Sequence, residues 1–227
     1  MSANDTRPHS SSVHRTPELE KRRNELLESL RSVVMNDQVV EAMSIVPREF
    51  FVAAETRMSA YDNRALPIGE GQTISQPLVV ASMTAALKIR FTDRVLEVGT
   101  GTGYQAAILS TLAQHVVTVE RIEALRDAAA IRLTNLSYHN IDVELAVDCL
   151  GWPDRAPYDA ILVAAAAPLP PPVLLGQMAL GGRLVLPVGD RDQQNLTLIT
   201  RTPTNYHYKN LGACRFVPLI GPDAWQD

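Results

Sequence analysis

The chain has 227 residues, 46% of them hydrophobic, and a mean hydropathy of -0.03, which suffices to bury one sizeable core and predicts a single domain. Its 21 Lys and Arg residues are outnumbered by 25 Asp and Glu residues, and the net charge of -4 leaves no concentrated basic surface for a nucleic acid. Only two cysteines occur, Cys149 and Cys214, without the spacing of metal ligands, so we expect neither a disulfide nor a bound metal.

Residues 1–15 are predicted to form a disordered tail. They are rich in Ser, Asn, Arg and His, and they contain too few apolar side chains to offset the entropy lost on ordering. The tail lacks the apolar stretch of a signal peptide, and no apolar run in the chain approaches the ~18 residues of a membrane span. We therefore expect a cytoplasmic protein without a membrane partner.

Two helices are predicted after the tail. Thr16-Pro17-Glu18 supplies a capping hydroxyl, a proline for the first helical position and an acid, and it predicts a helix over about 17–34. The inward face of this helix comprises Leu19, Leu26, Leu27, Leu30 and Val33. A second helix begins after Asn36-Asp37 and ends near Pro47, because the residue before a proline disfavours the helical conformation.

From Asp93 onward, short β-branched runs alternate with helical stretches, a pattern typical of parallel strands joined by crossover helices. The predicted strands are Arg94–Val98, Val116–Glu120, residues 141–147 and Tyr158–Ala164, and the predicted helices are Tyr104–Ala113 and Ile122–Leu136. Three more strand-like runs follow, Arg183–Val188, Leu196–Arg201 and Leu211–Leu219. No helical stretch separates the last two, so they predict an antiparallel hairpin at one edge of an open α/β sheet.

The first predicted strand leads into a glycine-rich turn, with glycines at positions 99, 101 and 103 and an acid at Glu97. Glycines at alternate positions let the backbone turn tightly and approach a bound ligand. Dinucleotide sites have the spacing G-x-G-x-x-G, whereas the spacing here is G-x-G-x-G, so a nicotinamide cofactor is disfavoured.

Two further acids are predicted at the same edge of the sheet. Glu120 ends the second strand, 23 residues after Glu97, at a position where a carboxylate can accept both hydroxyls of a ribose. Asp148 is predicted to end the third strand and to meet an adenine amino group. Because acids at strand ends are also common as solvated residues or helix caps, both assignments depend on the neighbouring glycine turn.

Several blocks of sequence together resemble the protein-L-isoaspartate O-methyltransferase family. The most specific is Gln72-Thr73-Ile74-Ser75-Gln76-Pro77, whereas the glycine turn is shared with most methyltransferases. The similarity extends over about residues 20–220 and includes Val46–Val52, Gly151-Trp152-Pro153, Gly181–Val185 and Phe216–Leu219.

The resemblance implies a Rossmann-like, open, mostly parallel sheet of seven strands with an antiparallel edge hairpin, helices on both faces and N-terminal helices before it. Residues 16–227 would form one methyltransferase domain, with about 16–90 on the substrate side. The implied reaction uses S-adenosylmethionine to methylate the free α-carboxylate of L-isoaspartyl residues in damaged proteins and peptides, whose esters then collapse to succinimides. We expect the enzyme to be a monomer.

The family's active-site serine falls on Ser75, which the resemblance assigns to orienting the substrate carboxylate, with a helix cap as the alternative role. A carboxylate is already ionised at neutral pH and a sulfonium is already activated, so the reaction needs alignment and exclusion of water rather than a general base. The residues assigned to the cofactor are Thr73, Ile74, Ser75, Glu97, Gly99, Thr100, Gly101, Gly103, Glu120, Arg121, Asp148 and Cys149.

One segment departs from the family pattern. Where the family usually has Gly-Asp-Gly, two residues and Gly-Trp, this chain has Val147-Asp148-Cys149-Leu150-Gly151-Trp152, with both glycines replaced and one residue fewer. Two alternatives therefore stay open: a methyltransferase acting on an aspartate of a specific peptide in biosynthesis, and a non-catalytic protein that binds S-adenosylmethionine or its product. A nicotinamide oxidoreductase is the third alternative, which the glycine spacing favours least.

Overall fold

Two N-terminal helices lead into the fold in the computed structural model, which describes residues 15–226. Helix α1 spans Pro17–Val34 and helix α2 spans Asp37–Ile45, as predicted. The Thr16 hydroxyl caps α1 by accepting from the main-chain N–H of Leu19 at 3.3 Å, which satisfies one of the free amide groups of the first turn. Val33 was predicted to face inward but is 59% exposed, so the buried face of α1 ends one turn earlier, at Leu30.

The predicted tail lies outside the described residues except for its last member, Arg15. That side chain forms an ion pair with Glu49, with Nε 2.5 Å from Oε1. Glu49 belongs to a short helical turn, Arg48–Phe50, and a second such turn follows at Ala54–Ser59.

A small hairpin, which the sequence did not predict, and a helix precede the main sheet. Strands β1 (Leu66–Gly69) and β2 (Gln72–Ile74) pair antiparallel, and helix α3 spans Pro77–Leu87. The N-cap position of α3 falls on Gln76. The alternative role of Ser75 as the helix cap is therefore wrong, because Ser75 lies one residue too early in the connection.

The main sheet contains seven strands in the order β5-β4-β3-β6-β7-β8-β9. Its elements in chain order are β3 (Arg94–Val98), α4 (Tyr104–Leu112), β4 (His115–Glu120), α5 (Glu123–Asn135), β5 (Ile141–Leu145), β6 (Tyr158–Val163), α6 (Pro172–Gly176), β7 (Met178–Gly189), β8 (Gln194–Arg201) and β9 (Tyr206–Cys214). Strands β3 to β7 pair parallel, whereas β8 pairs antiparallel with both β7 and β9. The predicted fold class is thus confirmed.

Three of the predicted strands have wrong boundaries. Strand β7 begins at Met178 rather than at Arg183. The last strand covers Tyr206–Cys214 rather than Leu211–Leu219, because a tight turn in which the Thr202 N–H donates to the Asn205 carbonyl at 2.8 Å leads directly from β8 into it. The third strand ends at Leu145 instead of continuing to residue 147. Asp148 therefore lies in the following turn rather than at a strand end.

The central strands β3 and β6 carry apolar side chains on both faces, as expected for parallel strands covered on both sides. Val95 packs in a cluster with residues of α1 to α4, whereas Leu96 packs in a second cluster that includes Leu174 of α6. The carboxyl ends of β3, β4 and β6 meet at one edge of the sheet, where open α/β folds bind ligands. Within residues 15–226, no helix has the length and apolar composition needed to cross a membrane.

Candidate active site

The glycine turn between β3 and α4 forms the floor of a cavity of about 410 Å³, a size typical of small-molecule sites. Gly99 and Gly101 have φ values of +96° and +52°, which disfavour residues with a Cβ. A Cβ built at Gly99 would lie 3.4 Å from the Cβ of Ala164, and one at Gly101 would lie 3.4 Å from Cδ1 of Ile68. The two glycines thus keep the floor open between the sheet edge and the β1–β2 hairpin.

Most of the residues assigned to the cofactor from sequence lie around this one cavity. Its walls include Thr73, Ile74, Ser75, Glu97, Gly99, Thr100, Gly101, Glu120, Arg121 and Cys149. Gly103 and Asp148 are not part of the wall: a Cβ on Gly103 would lie 3.0 Å from Cδ1 of Leu133, so this glycine permits helix packing, and Asp148 is exposed.

Glu97 is fully buried and lines the cavity, and one of its oxygens has no partner among the described residues. Thr118 donates a hydrogen bond to Oε2 at 2.5 Å, and the hydroxyls of Thr118 and Thr100 are 2.6 Å apart. The other oxygen, Oε1, has no hydrogen-bond partner within the part of the chain that the structure describes. Burial raises the pKa of Glu97 to about 8. The hydrogen bond from Thr118 lowers this pKa, and the charge of Glu120 raises it further. A ligand that donates to Oε1 would satisfy this carboxylate.

Glu120 ends β4 and holds the glycine turn in place. Its Oε2 accepts from the main-chain N–H of Gly101 at 2.9 Å, and its Oε1 accepts from the N–H of Ile122 at 3.0 Å. Two carboxylate oxygens offer about four acceptor positions. The side chain therefore keeps capacity for the hydroxyls of a bound nucleoside while it anchors the turn.

The shortened segment after β5 is supported by a side chain from a distant part of the chain. Gln177 is almost fully buried; its Nε2 donates to the carbonyl of Leu150 at 2.9 Å, and its Oε1 accepts from the N–H of Trp152 at 2.9 Å. Cys149, Leu150 and Gly151 line the cavity as a result. No sequence pattern indicates Gln177, which lies in the connection between α6 and β7.

The C-terminal segment closes another side of the cavity, which sequence reasoning also missed. Arg191 and Gln226 both line the cavity, and Nη2 of Arg191 donates to the carbonyl of Gln226 at 3.2 Å. The guanidinium carbon of Arg191 lies 5.0 Å from the ring centroid of Trp225. The nearby block Phe216–Leu219 was the only signal for this wall, since its residues 217–219 line the cavity.

The described part of the chain contains no set of side chains suited to bind a metal ion. Among residues 15–226, no group of three or more His, Cys, Asp and Glu side chains is arranged to hold a metal ion. Cys149 and Cys214 are both free thiols. Burial raises the pKa of Cys214 to about 11, which makes it a poor nucleophile.

Comparisons with known proteins converge on one family. The family model "Protein-L-isoaspartate(D-aspartate) O-methyltransferase" matches residues 21–224. A protein-L-isoaspartate O-methyltransferase of Dictyoglomus thermophilum is 46% identical over 213 residues, covering 93% of this chain and 97% of the relative. Protein-L-isoaspartate O-methyltransferase 1 of Syntrophobacter fumaroxidans is 49% identical over 189 residues, covering 83% and 88%. A solved protein-L-isoaspartate O-methyltransferase structure is similar with a TM-score of 0.78 at 26% identity, covering 89% of this chain and 67% of that one.

Proposed function

The chain belongs to the protein-L-isoaspartate O-methyltransferase family, and from that premise we propose how its cavity transfers a methyl group from S-adenosylmethionine to the α-carboxylate of L-isoaspartyl residues in damaged proteins and peptides. The observation that carries the proposal is that Ser75 and Glu97, whose Oε1 has no partner among the described residues, line the same cavity. One wall thus suits a substrate carboxylate and the other a nucleoside with a cationic group.

The residues present fit S-adenosylmethionine, which supplies an activated methyl group on a positively charged sulfur. Glu97 Oε1 is buried and needs a donor, and the positive-φ glycines leave the floor free of side chains. We assign the ribose hydroxyls to Glu120 and the polar methionine end to the side of the cavity that Glu97 faces. A bound positive charge beside Glu97 would favour its ionised form and return its pKa toward ordinary values.

The structure favours other residues for the adenine than the sequence did. Cys149 and Leu150 line the cavity, whereas Asp148 is exposed in the turn after β5. We therefore propose that Cys149 and Leu150 form the adenine wall, and that Asp148 contributes only if this turn closes over the base. Thr100 and Arg121 complete the cofactor side of the cavity.

The chemical step requires alignment rather than proton transfer. The α-carboxylate of the substrate is ionised at neutral pH and acts as the nucleophile itself. We propose that the Ser75 hydroxyl donates to one carboxylate oxygen and directs the other toward the methyl group, with Thr73 and Ile74 flanking the entrance. Walls that exclude water from this cavity would strengthen the hydrogen bond from Ser75.

Labelling of matched peptides tests the proposal. The protein is incubated with labelled S-adenosylmethionine and two peptides that differ only in carrying an isoaspartyl or an aspartyl residue. We expect label on the isoaspartyl peptide alone and a large loss with Ser75→Ala. Equal labelling would indicate the biosynthetic alternative, and cofactor binding without labelling would indicate a non-catalytic binding protein.

We further propose a cytoplasmic, monomeric enzyme. Both cysteines are free thiols, as is usual for proteins of reducing compartments. Light scattering after size-exclusion chromatography tests the monomer, and a mass of two chains would contradict it.

A further inference from the structure

Arg48 is a fully buried cation that forms no ion pair with any carboxylate of the described residues. The neighbouring Glu49 is committed to other groups, since it pairs with Arg15 at 2.5 Å and accepts from the Tyr61 hydroxyl. Burial lowers the pKa of Arg48. Buried charges are normally paired because an unpaired one is costly. An arginine at such a position therefore indicates a role beyond packing.

The contacts of Arg48 join two walls of the cavity. Its Nη2 donates to the main-chain carbonyl of Ser75 at 2.8 Å, and its Nε donates to the carbonyl of Ala60 at 2.8 Å. Its guanidinium carbon lies 4.7 Å from the ring centroid of Tyr104. Tyr104 is the first residue of α4, directly after the glycine turn, and both Tyr104 and Ser75 line the cavity.

We propose that Arg48 is a positioning residue for methyl transfer, which holds the main chain of Ser75 at a fixed distance from Tyr104 and the glycine turn. This inference rests on the proposed role of Ser75. The planar guanidinium donates in two directions while its face packs on an aromatic ring, which a lysine with a single nitrogen does not reproduce. A displacement of the Ser75 segment by about 1 Å would lower the rate on the order of 10²-fold, because in-line transfer depends on alignment.

The first experiment compares Arg48→Lys with a matched control, Arg183→Lys. Arg183 also donates to a main-chain carbonyl, that of Leu87 at 2.8 Å, and pairs with Asp93, but it lies at the amino end of the sheet, away from the cavity. At a temperature where both variants are folded, kcat and KM are measured with an isoaspartyl peptide, and calorimetry gives the Kd of S-adenosylhomocysteine. We expect Arg48→Lys to lower kcat on the order of 10²-fold with a much smaller change in Kd, and Arg183→Lys to change neither.

Two further measurements separate positioning from stability. If Arg48 acts through Ser75, the double variant Arg48→Lys with Ser75→Ala has the kcat of Ser75→Ala alone, whereas independent effects would multiply. Amide hydrogen exchange of residues 73–76 in the wild type, Arg48→Lys and Arg183→Lys reports the order of the segment without any assay of activity. We expect faster exchange in Arg48→Lys only.

The inference is overturned if Arg48→Lys retains the kcat of the control, if the double variant shows multiplied losses, or if exchange at residues 73–76 is unchanged. If Arg48→Lys does not fold, Arg48→Gln, which keeps one donor for the Ser75 carbonyl, replaces it. Failure of both to fold would assign Arg48 to stability and contradict the inference. A wild type that labels no isoaspartyl peptide would instead refute the proposed function, and the exchange data would still show whether Arg48 orders residues 73–76.

Discussion

Replacing Glu97 with Gln should stabilise the unliganded protein while weakening the binding of the cofactor. Glu97 is fully buried, and one of its oxygens lacks a partner among the described residues. Glutamine has nearly the same shape and can still accept from Thr118, but it carries no ionisable proton. The variant therefore removes the cost of holding a carboxylate in this site without opening a cavity.

The size of the effect depends on pH. Below about pH 4.5, the Glu97 carboxyl is protonated in both the folded and the unfolded chain. Between pH 4.5 and about 8, the unfolded chain ionises while the folded chain stays protonated, so the wild type loses stability as pH rises. At neutral pH this loss is on the order of 3 kcal/mol, since each pKa unit corresponds to about 1.4 kcal/mol. Glu97→Gln lacks this loss.

Thermal unfolding of the unliganded proteins across pH 5 to 8 measures the prediction. A gain of about 1 kcal/mol raises the Tm of a domain of this size by about 2–4 °C, so we expect the variant to melt several degrees higher at neutral pH and to approach the wild type in acid. Added S-adenosylhomocysteine should raise the Tm of the wild type more than that of the variant. A Tm difference that is absent or independent of pH would refute the reasoning.

Three other changes test separate contacts. Glu120→Ala should weaken cofactor binding by about 1–3 kcal/mol, because hydrogen bonds to a charged group are lost; calorimetry checks this, and an unchanged Kd would remove Glu120 from the ribose. Ser75→Ala should lower kcat more than cofactor affinity, and a loss confined to affinity would make Ser75 a cofactor contact only. Gln177→Ala should cost about 1–3 kcal/mol of folding stability by leaving buried groups of the shortened segment without partners, and it should also weaken cofactor binding. Denaturant unfolding and calorimetry measure the two effects. Unchanged binding would show that the shortened segment does not contact the adenine.

The central parallel strands β3 and β6 were predictable because they are buried on both faces. Such strands read as apolar runs, and Arg94–Val98 was predicted with the boundaries that the structure shows. The final strand was misplaced because β9 is an exposed edge strand. A tight turn and pairing with β8, rather than an apolar pattern, determine where it begins. The hairpin of β1 and β2 was missed since strands of four and three residues are too short for a periodic signal.

The residues of the site likewise fall into those that the sequence predicts and those that it does not. Glu97 and Glu120 were predictable because local strands and a glycine turn fix their positions. Gln177, which supports the wall at Leu150, and Arg191, which lines the cavity, were not, since their contacts are with residues 25 and 35 positions away. The predicted position of Asp148 was wrong because the prediction extended the third strand past Leu145.

The bond from Gly101 to Glu120 has a consequence for the kinetics of association. The same carboxylate that is assigned to the ribose holds the glycine turn through the main-chain amide of Gly101 and also accepts from that of Ile122. A nucleoside therefore meets a glycine turn whose position the protein itself fixes, and this turn does not have to order during the encounter. Compounds that carry only the adenosine portion should consequently associate as rapidly as the whole cofactor and differ from it mainly in how fast they dissociate.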